Sequence, residues 1–149
     1  MTLLERVTAD IADAMKAKDQ VTLSTLRLLK AALVNKSVEK GRDLDQAESL
    51  HVVSALVKQR RDAIELFQKG GRADLVDKET SEIAVLERLL PPPIDRAAVE
   101  RAIEAAIAET GAQGTKDMGR VMKAVLASLE GRNPDGRLVS ELVKQRLAR

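Results

Sequence analysis

No cysteine, tryptophan or tyrosine occurs in this chain, and Phe67 is its single aromatic residue. Without cysteine there is no disulfide framework, no thiolate nucleophile and no Cys-based metal site, which fits a reducing compartment. A cytoplasmic location is the expectation. With Phe67 as the one aromatic ring, any core must be aliphatic, and recognition of nucleic acid by stacking successive bases on rings is excluded. Long apolar runs are missing too, and nothing approaches the roughly 20 residues of a membrane span. Acidic residues interrupt the apolar ones in Met1-Thr-Leu-Leu-Glu-Arg-Val-Thr-Ala-Asp10, which therefore reads as an amphipathic helix and not as a signal peptide. A soluble protein without membrane partners is expected.

What remains is a chain of 149 residues, 44% apolar and 32% charged, rich in Ala, Leu, Glu, Lys and Arg. That composition favours helix nearly everywhere. The expected fold is all-α, with no sheet. Proline is scarce, but three of the four prolines are consecutive, Pro91-Pro92-Pro93. They remove three amide donors in a row and disfavour helix in the residue before them. This Pro-rich linker is expected to join an N-terminal antiparallel helical bundle, residues 1–90, to a small three-helix C-terminal domain, residues 94–149. Lys and Arg balance Asp and Glu at 15 each in 1–90, whereas 94–149 holds 10 against 8, so the net charge of +2 lies in the second part.

Periodicity of 3.6 residues predicts four helices before the prolines. The first runs from about Leu3 to Ala17, with Leu4, Val7, Ile11, Ala14 and Met15 inward. The second follows Asp19 as its cap, and its apolar residues, Leu28 among them, cover over half its circumference. Such a helix belongs in the middle of a bundle. Asp45 and Glu48 have capping-box spacing and open a third helix reaching Gln68, which Gly70-Gly71 ends. A fourth spans about Asp74 to Leu89. After the prolines, Asp95 opens a fifth helix stopped by Gly111, a sixth begins near Asp117 and closes at Gly131, and Leu138 opens a seventh.

Charge on the sixth helix is the clearest sign of a partner. Projection at 100° per residue gathers Met118, Val121, Met122, Val125 and Leu129 on one side and places Lys116, Arg120 and Lys123 on the other. With Arg132, Arg137 and Lys144 further on, these are the candidate RNA-binding residues, because clustered cations neutralise backbone phosphates. A solvated charged face is the other reading. The Glu130–Arg137 connection is longer than the usual helix-turn-helix turn. Folded RNA, recognised by shape and backbone, fits better than a sequence-specific mode.

A second constellation lies upstream. Arg60 projects into the apolar stripe of the third helix, and Glu79 and Glu82 sit among apolar residues of the fourth. Buried charges need partners, so Arg60 is expected to pair with Glu79, Glu82 or both as a structural cluster. Paired carboxylates also serve acid–base or metal chemistry, but there is no neighbouring nucleophile and the lone His51 points away. The glycine turns at Gly41 and Gly70-Gly71 lack Walker spacing, and no serine sits in a nucleophile elbow. No catalytic residue, metal site or cofactor is expected.

Taken in order, Ala14-Met-Lys-Ala-Lys-Asp19, Leu26-Arg-Leu-Leu-Lys-Ala-Ala-Leu-Val-Asn-Lys36, Lys58-Gln-Arg-Arg-Asp-Ala-Ile-Glu65, Gly71-Arg-Ala-Asp-Leu75, Leu89-Leu-Pro91, Asp117-Met-Gly-Arg-Val-Met122 and Gly131-Arg132 followed by Asp135-Gly136 resemble the YqeY family over nearly the whole chain. The family's C-terminal part is similar to the tail of the GatB subunit of tRNA-dependent amidotransferase. The resemblance implies an all-helical protein of two units and tRNA as partner. It does not carry the amidotransferase's activity across; the competing readings are an adaptor docking on amidotransferase or synthetase subunits and, after it, a carbon–nitrogen ligase using glutamine as amido-N-donor, for which the Arg60, Glu79 and Glu82 cluster is the only candidate site. One local departure is Asn133-Pro134 within the Gly-Arg to Asp-Gly turn.

Overall fold

The computed structural model describes residues 1–129 and 132–149, and among them the only regular structure is helical. Helix α1 spans Leu3–Ala17, α2 Gln20–Lys40, α3 Gln46–Lys69, α4 Ala73–Glu87, α5 Arg96–Thr110, α6 Met118–Ser128 and α7 Gly136–Leu147; a 3-10 turn at Thr115–Asp117 leads into α6. The expected helix stop at Gly131, and Glu130 before it, lie outside the described residues.

Short polar side chains start most of these helices. Thr2, Asp19, Asp45, Asp95 and Asp135 each accept a hydrogen bond from a backbone N–H of the first turn that has no partner within its helix. At α3 the capping box is complete: Asp45 accepts from the Glu48 N–H at 2.8 Å, and the Glu48 carboxylate accepts from the Asp45 N–H at 3.0 Å. Left-handed residues close α1, α2 and α5. Gly41 (φ 70°) and Gly111 (φ 69°) take that conformation freely, whereas Lys18 (φ 57°) takes it with a side chain.

The chain forms two compact units, Met1–Leu90 and Pro91–Arg149. In the first, α2 touches each of α1, α3 and α4, and Leu26, Leu29, Val53 and Leu86 fill the centre. Burial of each such side chain contributes about 2 kcal/mol. Two expectations need correction here. On α1 the buried residues are Leu3, Val7 and Ala14, with Ile11 packed beside them, while Leu4 and Met15 are exposed, so the inward stripe keeps its middle but is narrower on one side than expected. The helix buries a narrow stripe against α2, and Leu3 rather than Leu4 continues that stripe upward from Val7. On α2 the expected enclosure is incomplete: Leu28 is exposed, with Val21, Val34 and Val38.

In the second unit α5, α6 and α7 pack against one another around Val99, Ile103, Val121, Val125, Val139 and Val143. The prolines enter this unit through Asn133. Its side-chain amide donates to the Pro91 carbonyl at 3.0 Å, and its own carbonyl accepts from the Ile94 N–H at 3.3 Å. An isolated parallel bridge pairs Pro93 with Asn133. A proline run offers carbonyls but no amide hydrogens, so it can be held only by an outside donor and by the first N–H after it.

Candidate functional site

The six candidate basic residues, Lys116, Arg120, Lys123, Arg132, Arg137 and Lys144, are all exposed. Val121, Val125 and Leu129 point inward from α6 and its end, leaving Arg120 and Lys123 on the outer side. On α7, Val139, Leu142, Val143 and Leu147 point inward, and Arg137 and Lys144, seven residues apart, share the opposite side. Arg132 lies in the loop between these helices, its N–H donating to the Leu129 carbonyl at 3.0 Å.

Lys116 needs a correction of detail. It sits in the 3-10 turn and not on α6, so the 100° projection that aligned it with Arg120 and Lys123 does not extend to it. The cause is local. Asp117 accepts from the Gln113 N–H at 3.0 Å and from the Arg120 guanidinium at 2.7 Å, which folds the chain back before the α-helix begins. Those bonds, the backbone one first, hold the Asp117 carboxyl below its ordinary range. Arg120 also donates to the Thr110 carbonyl at 3.4 Å. It braces the entry to α6 while keeping a largely exposed guanidinium, and Lys123 has no such tether among the described residues.

The upstream charges divide unequally. Arg60 donates through Nε to Glu82 at 3.1 Å and through a terminal nitrogen to the Leu56 carbonyl at 3.0 Å, and both charged side chains are 11% exposed. Glu79 lies beside this pair, half-buried. Its carboxyl is pushed above the ordinary range, first by burial and next by the negative charge of Glu82.

Sequence reasoning passed over a hub at the turn into α3. Arg42 donates to both oxygens of Glu48, at 2.7 and 2.9 Å, and Lys40 reaches the same carboxylate at 2.8 Å. These bonds hold the Glu48 carboxyl well below its usual range. The signal was available, since the capping-box position fixes Glu48 beside the Lys-Gly-Arg turn. Two open clefts also exist. One of about 300 Å³ in the first unit is lined by Arg6, Asp10, Asp13, Asp19 and Arg88 over Leu26 and Leu89, and one of about 220 Å³ lies between α5 and α7 beside Arg96, Glu104 and Arg146.

Among curated proteins, the chain is 27% identical over 145 residues to altered inheritance of mitochondria protein 41, mitochondrial, of Pyrenophora tritici-repentis, covering 96% of this chain and 80% of that protein. It is 40% identical over 82 residues to the protein of the same name from Lachancea thermotolerans, and 40% identical over 79 residues to that from Kluyveromyces lactis. These alignments cover 54% and 52% of the chain and only 44% and 43% of the two yeast proteins. The relatives' names overturn the expected cytoplasmic location. That expectation rested on missing cysteine, and cysteine content reports a redox environment, not an organelle. A model of the Yqey-like protein family matches residues 4–147, nearly the full length, and the chain belongs to that family.

Proposed function

We propose that this chain binds structured tRNA through its C-terminal part, residues 94–149, acting as a tail-like three-helix domain that follows an N-terminal antiparallel bundle of residues 1–90. Lys116, Arg120, Lys123, Arg132, Arg137 and Lys144 contact phosphates. The observation that carries this reading is the outward placement of Arg120 and Lys123 on α6 and of Arg137 and Lys144 on α7, two packed helices of one unit. Two cationic stripes on adjacent helices suit the paired backbones of a folded RNA better than a single strand. The missing aromatics agree, because backbone recognition requires none.

The test is binding of the full chain to total tRNA at two salt concentrations, beside a variant carrying Lys116→Glu, Arg120→Glu and Lys123→Glu. Salt-sensitive binding that the variant loses, with helical circular dichroism retained, supports the reading. Failure of both chains to bind overturns it and moves a protein partner, such as an amidotransferase or synthetase subunit, to first place.

A further inference from the structure

The uncovered side of α2 carries a pattern that the core does not explain. Val21, Ser24, Leu28, Ala31, Asn35 and Val38 are all exposed, Leu28 by 53% and Val38 by 74%. Their spacing alternates three and four residues, which places them along one seam about 100° wide. Helix α2 is therefore apolar on two sides: one faces α1, α3 and α4, and the other has no cover among the described residues.

The seam is also symmetric about its own middle. Reversed, it sets Val21 against Val38, Ser24 against Asn35 and Leu28 against Ala31. Each layer matches like with like or large with small: two valines, two hydrogen-bonding side chains, and a leucine over the gap left by an alanine. A self-complementary surface is what a two-fold contact requires, because each residue and its opposite number exchange roles across the axis. Arg27 and Val34 lie exposed on one flank, so the same flank of each copy meets in an antiparallel pair, the methylene stem of Arg27 beside Val34. Antiparallel packing also opposes the two helix dipoles. Residues 1–90, which carry the seam, hold equal numbers of basic and acidic residues, so net charge does not oppose approach.

We infer that the outer face of α2 is a docking surface for a second copy of this chain, packed antiparallel with the two-fold axis level with Leu29 and Lys30. Asn35 opposite Ser24 fixes the register, as a polar residue in an apolar seam does. One helix face is smaller than the ~800 Å² per partner of a standard interface, so the dimer is weak, with a dissociation constant on the order of 10 to 100 μM.

Sedimentation of the full chain from about 1 μM to about 1 mM spans that range. The expected mass rises from that of the 16.2 kDa monomer toward twice that value. Leu28→Glu abolishes the rise while leaving circular dichroism unchanged, since Leu28 is outside the core. The absence of native cysteine makes the register directly readable. An oxidised mixture of Val21→Cys and Val38→Cys chains yields the mixed disulfide in excess over either homodimer. A chain that stays monomeric, a Leu28→Glu variant that still dimerises, or Val21→Cys chains that cross-link mainly to themselves would each overturn the proposal, the first leaving the face to a different protein.

Discussion

Arg60 on α3 and Glu82 on α4 meet at 3.1 Å across 22 residues of sequence, and the Leu56 carbonyl takes a second donor of the same guanidinium. Both side chains are nearly withdrawn from water. Removing one partner strands the other, which costs far more than the pair contributes as a whole. Glu82→Leu or Arg60→Met alone is expected to cost about 3 kcal/mol, and the double variant recovers most of that loss. Chemical denaturation of the four proteins measures the coupling. Additive losses would contradict a directly paired cluster.

Two glutamates of the first unit are expected to tilt the pH dependence of stability in opposite directions. Burial beside Glu82 raises the Glu79 pKa, so the folded state holds that proton more tightly than the unfolded chain. Its contribution is present below the ordinary glutamate range and is lost as pH rises through the raised value. Hydrogen bonds from Arg42 and Lys40 depress the Glu48 pKa, so its contribution is present above the ordinary range and is lost as pH falls. Glu79→Gln therefore gains on the parent as pH rises past the glutamate range, and Glu48→Gln loses less stability on acidification. Curves parallel to the parent's would contradict both assignments.

Thr25 is 1% exposed, and its hydroxyl has no hydrogen-bond partner among the described residues. Val has nearly the same shape and no group to desolvate. Thr25→Val is expected to raise stability by about 1 kcal/mol, read as a shifted denaturation midpoint with an unchanged slope. A loss of stability would show that the hydroxyl is satisfied in solution.

Lys18 closes α1 in the left-handed conformation, the only non-glycine residue with positive φ among those described. A side chain there costs on the order of 1 kcal/mol that glycine avoids. Lys18→Gly is expected to stabilise the fold by about that amount. The thermal midpoint checks it, and no change or a fall would mean that the turn carries no strain.

Helix positions were legible because capping residues and apolar spacing act within a few residues, as at Asp19, the Asp45–Glu48 box and Asp95. What lay hidden depends on neighbours. Whether Leu3 or Leu4 of α1 turns inward is decided by the surface of α2, and the exposure of Leu28 by the number of helices available to cover it. The 3-10 turn under Lys116 follows from Asp117 bonding both backward to Gln113 and forward to Arg120, which a single-helix projection cannot represent. Asn133 looked like a local irregularity in a turn, yet its partner is Pro91, 42 residues away. For the candidate interface, charge and helical phase were readable in sequence. That Arg120 braces its own helix while Lys123 has no such tether among the described residues was not.

That difference makes Lys123 the residue to test first. The most direct measurement is the salt dependence of tRNA binding by the parent chain and by Lys123→Gln, a change that leaves the Arg120–Asp117 brace in place. The account predicts steep loss of affinity with salt for the parent and a log–log slope shallower by about one unit for the variant. Identical slopes for the two proteins, or binding indifferent to salt, would contradict phosphate recognition by α6.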